Sequence, residues 1–341
     1  MKVRLGVVGS GFGLYGLLPA FQKIPECVIT GIAGRSSKRM VDYCRETSVP
    51  RIYPDWRGLI EDTKPDAIAV AVVPKYQPEI IVYALQRGIS VFAEKPLAIG
   101  LEQAKQLQAC ARESGLPNMV DYIFPEIPEW REVKRLLEEN AIGQVSQVTV
   151  NWSFMSHDIQ NRLDTWKLNP EEGGGALAYY FSHVFYNLEF FLGRIRTLRC
   201  HFNYSPLSRG KGETVVSVVV RWESGCTGNV VLNCGSVGLN KHVWEFQGPN
   251  GDLVLQNTKR SVSIGFELIR HDANGGRTVL APARLAALSA EDDRVHLVKS
   301  LGERFIAWHL GGKHSKPDFD DAVRVQELIT RATDSANSDP R

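Results

Sequence analysis

No apolar run in this chain approaches the roughly 18 residues needed to cross a bilayer as a helix. Neither sign of charge is in excess: 40 Lys and Arg stand against 38 Asp and Glu, a net charge of +2. So close a balance gives no field to attract nucleic acid or an anionic membrane. No stretch interleaves basic and aromatic residues as nucleic-acid binders do. The six cysteines, Cys27, Cys44, Cys110, Cys200, Cys226 and Cys234, lack metal-ligand spacing. We read them as reduced packing residues and expect no metal. The opening Met1-Lys2-Val3-Arg4-Leu5 has no long apolar h-region, so the expectation is a cytoplasmic protein without a signal peptide. Internal repeats, low-complexity tracts and a Gly-x-Ser-x-Gly nucleophile elbow are also missing. What remains is ordinary for a globular protein, with 43% apolar and 23% charged residues. At 341 residues the chain is too long for one typical core, and two domains are expected.

The first third alternates. Apolar runs at Val3 to Val8, Val28 to Ala33, Ala67 to Val73, Ile89 to Ala93 and Asn118 to Tyr122 predict strands. Between them, Leu14 to Lys23, Ser37 to Glu46, Pro78 to Arg87 and Leu101 to Ser114 carry helical patterns, with a shorter element at Trp56 to Glu61. Continuous apolar strands alternating with amphipathic helices make a doubly wound parallel α/β sheet covered on both faces. The pattern changes near Tyr122 to Pro128, where Pro125 and Pro128 break any continuing helix. We therefore expect domains at 1–122 and 123–341, with the last helix able to pack back on the first. The second domain opens with a helix over Glu129 to Asn140. Strands are then expected at Val145 to Phe154, Arg194 to Asn203, Thr214 to Glu223, Thr227 to Asn233, His242 to Gln247, Asp252 to Leu255 and Ser261 to Leu268. Short glycine turns between them argue for a mostly antiparallel sheet. Helices are expected over Gly175 to Leu192, Asp293 to His309 and Asp320 to Ala332, with a polar, fraying tail from Asp334.

Two motifs carry chemistry. Gly9-Ser10-Gly11-Phe12-Gly13-Leu14 follows the first strand, where a strand turns into a helix and backbone N–H groups face a phosphate. Gly9 permits the turn and Gly11 the close approach of a pyrophosphate. The usual third glycine is Leu14 here, flanked by Gly13 and Gly16. About 20 residues on, where an acidic residue grips the ribose of NAD, the chain has Gly34-Arg35-Ser36, with Arg39 behind. Cations and hydroxyls there suit a 2′-phosphate, so the cofactor expected is NADP(H) rather than NAD(H). The plainer alternative is a helix N-cap followed by solvated charges. Glu94-Lys95-Pro96 follows another strand and places a lysine at its carboxyl end, where ligands sit in such sheets.

These residues, together with Gly173-Gly174-Gly175 leading to Ser182-His183 and a closing Ser335-Ala336, resemble the glucose-fructose oxidoreductase/inositol dehydrogenase (Gfo/Idh/MocA) family along nearly the whole chain. The resemblance implies a Rossmann domain, then a substrate domain on a large open sheet, and hydride transfer at a carbinol or carbonyl carbon. It implies that Lys95 contacts nicotinamide and substrate, and that Pro96 is often cis. Two positions depart from the family pattern. Many members have aspartate four residues before the histidine, and this chain has Tyr179 before His183. A histidine often found after the fourth strand is Gln77.

The catalytic residues expected are therefore Lys95, His183 and Tyr179. Val73, Pro74, Gln77, Glu94, Lys95 and Pro96 complete the cofactor set. Tyr122, Trp166 and Lys167 join Lys95, Tyr179 and His183 around substrate. His183 has an alternative role as a satisfied core histidine, and Trp166 with Lys167 as a surface staple. The expected substrate is a sugar, amino sugar or cyclitol derivative, and the expected assembly a homodimer or homotetramer. Rival readings are an imine or enone reductase, an eliminase on the same scaffold, or a cofactor-binding protein without turnover.

Overall fold

A computed structural model describes residues 2–283 and 291–338. The chain divides into two compact units, one of residues 1–123 and 290–326, the other of residues 124–289 and 327–341. In the first unit, β1 (Val3–Val8), β2 (Cys27–Ala33), β3 (Ile52–Tyr53), β4 (Ala67–Val70), β5 (Ser90–Ala93) and β6 (Asn118–Val120) form a six-stranded sheet of order β3-β2-β1-β4-β5-β6. Every pairing in it is parallel. The chain winds outward from β1 to β3, then crosses to β4 and winds the other way. The reversal point between β1 and β4 is where a crevice opens at the carboxyl ends of the strands.

All residues of β4 and β5 are buried, as the continuous apolar runs require of strands covered on both faces. Part of that cover comes from far along the chain. Helix Val295–His309 buries Val298, Leu301, Phe305 and Ile306. Phe305 meets Phe21 and Phe92 edge-on, at 6.5 and 5.8 Å between ring centroids. Ser90 Oγ and His309 Nδ1 are 2.8 Å apart. The segment expected to lie within a 123–341 domain thus belongs to the first unit from 290 to 326.

The second unit holds β7 (Gln147–Ser153), β8 (Ile195–Asn203), β9 (Val215–Trp222), β10 (Thr227–Asn233), β11 (Lys241–Gly248), β12 (Gly251–Asn257), β13 (Glu267–Asp272) and β14 (Arg277–Ala281). Their order is β14-β13-β12-β11-β7-β10-β9-β8. The β7–β10 pair is parallel and the others are antiparallel. Side chains alternate. Val148, Val150 and Trp152 of β7 point with Trp244 and Phe246 of β11 into the core. Helices Pro128–Glu138 and Ser182–Leu192 pack there, and Trp130 stacks between Phe124 and Phe191 at 5.0 and 5.6 Å. Burying each such aromatic contributes about 1.5–3 kcal/mol.

Three local expectations need correction. Ser261 to Leu268 is not a strand; β13 begins at Glu267. Asn257, 3% exposed, donates to the carbonyls of Ser261 and Ile264 at 2.9 and 3.1 Å, and Gly265 takes φ +103°. Those carbonyls are diverted from a ladder, so the segment folds as a loop. Strand β14 was not anticipated, although Asn274-Gly275-Gly276 is a hairpin signal. The tail does not fray at Asp334: helix Phe319–Asn337 continues through Ser335, whose Oγ accepts the Cys200 N–H at 3.1 Å. Among the described residues no helix is long and apolar enough to cross a membrane.

Candidate functional site

In the first unit the site begins where β1 ends. Gly9 has φ +131°, and a Cβ there would lie 2.1 Å from the Ala71 carbonyl oxygen, so the strand leaves through a position only glycine fills. Gly11 is the opposite case: a Cβ added to it would meet no atom within 4 Å. That open space leaves room for a phosphate to approach the loop backbone. Phe12 then leads into a wide helical turn over Gly13–Leu17 and the helix Leu18–Gln22. Gly13 and Leu14 are buried in that turn, and Ser10 is half-buried. A side chain at position 13 would meet only ordinary contacts, at 3.5 Å or more.

At the end of β2, Gly34 lies against this loop; its Cβ would sit 3.0 Å from the Ser10 nitrogen. Arg35 and Ser36 are exposed beyond it. Ser37 caps helix Lys38–Glu46 by accepting the Met40 N–H at 3.2 Å, so its hydroxyl is engaged. Arg39 lies 5.5 Å from the Tyr15 ring centroid. No carboxylate stands between Gly34 and Arg39.

The lysine turn is held by an amide. Gln77, fully buried, donates from Nε2 to the Glu94 and Pro96 carbonyls at 3.0 and 2.8 Å. It thereby clamps the turn on either side of Lys95, whose bond to Pro96 is cis. Gln77 Oε1 is buried and accepts no hydrogen bond among the described residues. Val73 and Pro74 precede it at the end of β4, Val73 half-buried and Pro74 buried. The Glu94 carboxylate accepts the Lys95 N–H at 3.1 Å.

Beneath Glu94 lies Asp121, 3% exposed, just after β6. Burial first, then the charge and hydrogen bond of Glu94, hold its carboxyl well above the usual carboxylate range, against the pull of Arg294 and Lys95. The Asp121 carboxyl therefore holds its proton more tightly than an exposed aspartate would. Arg294 pairs with Asp292 at 2.7 Å and lies 4.3 Å from the Phe12 ring centroid. Asp121 and Arg294 were not foreseen; neither lies in a motif. Tyr122, expected at the substrate, is 2% exposed.

In the second unit the triple glycine has a packing cause. Gly173 and Gly175 have φ +90° and +87°. A Cβ on Gly174 would lie 2.1 Å from the Trp166 carbonyl oxygen, and one on Gly175 2.6 Å from Glu213 Oε1. Buried Glu213 accepts the Leu177 N–H at 2.7 Å and caps the helical run through Leu177–Phe181 and Ser182–Leu192. Burial pushes its own carboxyl pKa up.

That helix delivers Tyr179 and His183. Tyr179 meets Trp166 edge-on at 5.4 Å, and Lys167 Nζ lies 5.6 Å from its ring centroid. Lys167 Nζ also lies 3.5 Å from buried Asp158, whose carboxylate accepts the Thr165 hydroxyl at 3.2 Å. The long connection before the helix thus assembles Trp166, Lys167 and Tyr179 into one cluster. His183 is 7% exposed and edge-on to Phe124 at 5.1 Å. Two neighbours are poor proton carriers. Burial holds the Tyr180 hydroxyl well above its ordinary range. His242, stacked flat on Trp152 at 4.4 Å, is pushed down to about 3 by burial and stays neutral.

Residues 3–122 match the GFO_IDH_MocA oxidoreductase family with its NAD-binding Rossmann fold, and residues 130–254 match the GFO/IDH/MocA C-terminal domain. The chain is 32% identical over 336 residues, 96% of its length and 93% of the relative's, to dTDP-3,4-didehydro-2,6-dideoxy-alpha-D-glucose 3-reductase of Actinomadura kijaniata. It is 22% identical over 312 residues to levoglucosan dehydrogenase of Pseudarthrobacter phenanthrenivorans, covering 82% of this chain and 80% of the relative. A solved structure of levoglucosan dehydrogenase in complex with NADH superposes with a TM-score of 0.85 at 20% identity, over 99% of this chain and 97% of that one. With both halves matched and one relative alike over almost its whole length, the chain belongs to the Gfo/Idh/MocA family of oxidoreductases.

Proposed function

We propose that this chain is an NADP(H)-dependent oxidoreductase acting on a CH–OH or C=O carbon of a sugar, amino sugar or cyclitol derivative. The observation that carries the reading is Lys95, clamped by Gln77 at the carboxyl end of β5, on the same sheet edge as the open glycine loop. Relatives named for a dTDP-deoxysugar and for levoglucosan support a carbohydrate substrate. The dinucleotide fits the residues present. Gly9 to Leu14 would hold the pyrophosphate, Gly34, Arg35, Ser36 and Arg39 the adenosine end, and Val73, Pro74 and Gln77 the nicotinamide end. When bound, the nicotinamide supplies or receives the hydride.

The chain's own groups do the rest. The Lys95 ammonium stabilises negative charge on the substrate oxygen. Glu94, which accepts the Lys95 N–H, helps to fix the lysine turn. His183 or Tyr179 exchanges the proton of that oxygen, and Trp166 with Lys167 covers the ring and holds a polar substituent.

NADPH should bind more tightly than NADH. Replacing Arg35 and Arg39 together by Ala should weaken NADPH by about tenfold or more, since hydrogen bonds to charged groups contribute about 1.5–3 kcal/mol, while NADH changes little. Fluorescence titration reads both; equal affinities in the wild type defeat the preference. Gly34→Asp is a poor companion test, because its Cβ would crowd Ser10 at 3.0 Å. Tight NADPH binding without turnover on any carbonyl substrate would favour the non-catalytic reading.

The outward face of the second sheet carries Val219, 53% exposed, with half-buried Val231, Val243 and Val254 among polar residues. We assign that face to a second copy of the chain, in a homodimer or homotetramer. A purely monomeric species in light scattering at micromolar concentration would refute the assignment.

A further inference from the structure

One cleft of about 490 Å³ lies wholly in the second unit, where β7 ends, β11 begins and the loop after β12 turns back. Its lining includes Lys241, Lys259 and Arg260, and no Asp or Glu. All three cations are exposed, and among the described residues none is in an ion pair. The loop that carries two of them is built rather than loose. Buried Asn257 accepts the Lys259 N–H at 2.8 Å, while its amide holds the Ser261 and Ile264 carbonyls. In a chain whose net charge is only +2, three unmatched cations around one concavity form a localised anion trap.

The lining is also partly aromatic. Phe154 lines the cleft half-exposed, backed by Trp152 at 5.3 Å, and Val237 stands 80% exposed at the rim. Phe154 also meets Tyr180 at 5.0 Å, and Tyr180 meets Tyr179 at 4.7 Å. The cleft is therefore two aromatic contacts from a residue of the reaction cluster. Its volume is that of a small-molecule site. A nucleic acid or an acidic protein would need a far larger basic surface.

We infer that this cleft takes the nucleoside diphosphate end of the substrate, with Lys241, Lys259 and Arg260 on the two phosphates and the nucleoside ring on the Phe154 wall. The sugar would then extend toward Tyr179. This rests on the oxidoreductase reading above and narrows its substrate to a nucleotide-linked sugar. Two adjacent phosphates match three cations in one concavity, and a planar base matches an aromatic face. A neutral sugar would use neither.

The test is calorimetric titration of the full chain with dTDP, with inorganic pyrophosphate and with glucose. Saturating NADPH keeps nucleotide off the glycine loop. We expect dTDP to bind, pyrophosphate to bind at least tenfold more weakly, and glucose not to saturate in this cleft. Lys259→Ala with Arg260→Ala should weaken dTDP tenfold or more and leave NADPH affinity unchanged. Lys241→Glu should do the same from the start of β11. Absent dTDP binding, equal affinity in the variants, or pyrophosphate binding as tightly as dTDP would overturn the assignment. NADPH binding is read in a separate titration. Its loss strikes the oxidoreductase reading, whereas intact NADPH binding without dTDP binding strikes this one.

Discussion

Lys95→Ala should lower kcat by about 10²–10³, the usual cost of removing one preorganised donor to a developing oxyanion, and leave the dissociation constant of NADPH within about threefold. The split follows from the architecture. On the proposed reading the dinucleotide's phosphates would lie on the Gly9 to Leu14 loop and its adenosine end at Gly34 to Arg39, and neither set changes. Lys95 stands apart at the end of β5, on a turn whose two flanking carbonyls are fixed by Gln77. Steady-state turnover beside a fluorescence titration measures both quantities. Equal loss of NADPH affinity and turnover would show that Lys95 serves binding alone. Asp121→Asn is an informative companion. Burial and Glu94 favour the neutral form of Asp121, so an uncharged amide at that position should leave most of the turnover intact.

The second large effect concerns the proton. If His183 carries it, His183→Ala should slow turnover by about 100-fold or more, and Tyr179→Phe much less. If Tyr179 carries it, the order reverses. The surroundings make the comparison clean. His183 lies against Phe124, and Tyr179 against Trp166 and Lys167, so each substitution disturbs a different set of neighbours. Tyr180 and His242 cannot replace either residue near neutral pH, because burial holds the first protonated and the second neutral. Near-wild-type rates in both variants would move the proton to Lys95 or water.

The parallel sheet was readable in the sequence because strands buried on both faces must be continuously apolar, and helices between them must be amphipathic. Leu101 to Ser114 and Val3 to Val8 fall where expected to the residue. The glycine motifs were readable for a related reason: Gly9 and Gly175 both take positive φ, and a side chain would meet the Ala71 carbonyl at the first and the Glu213 carboxylate at the second. What escaped depends on groups distant in sequence. Asp121 is unremarkable until Glu94 lies beside it in a buried place. Glu213 gains a role only when Leu177 presents an unpaired N–H. Asn257 lies just beyond the strand expected over Asp252 to Leu255, and nothing local shows that its side chain takes the next carbonyls out of the ladder. Such residues have no local pattern, since their partners are supplied by the fold.

Helix Val295–His309 closes the first unit's core from almost the far end of the chain. During synthesis the six parallel strands leave the ribosome long before the helix that covers Phe21 and Phe92 exists. Through that interval an apolar sheet face stands open, the kind of surface that chaperones hold and that aggregates when they do not. The dinucleotide-binding half is thus the earlier half to be made but cannot be the earlier to be finished. A fragment ending near residue 123, although it contains every strand and the whole glycine loop, is by the same logic an incomplete domain.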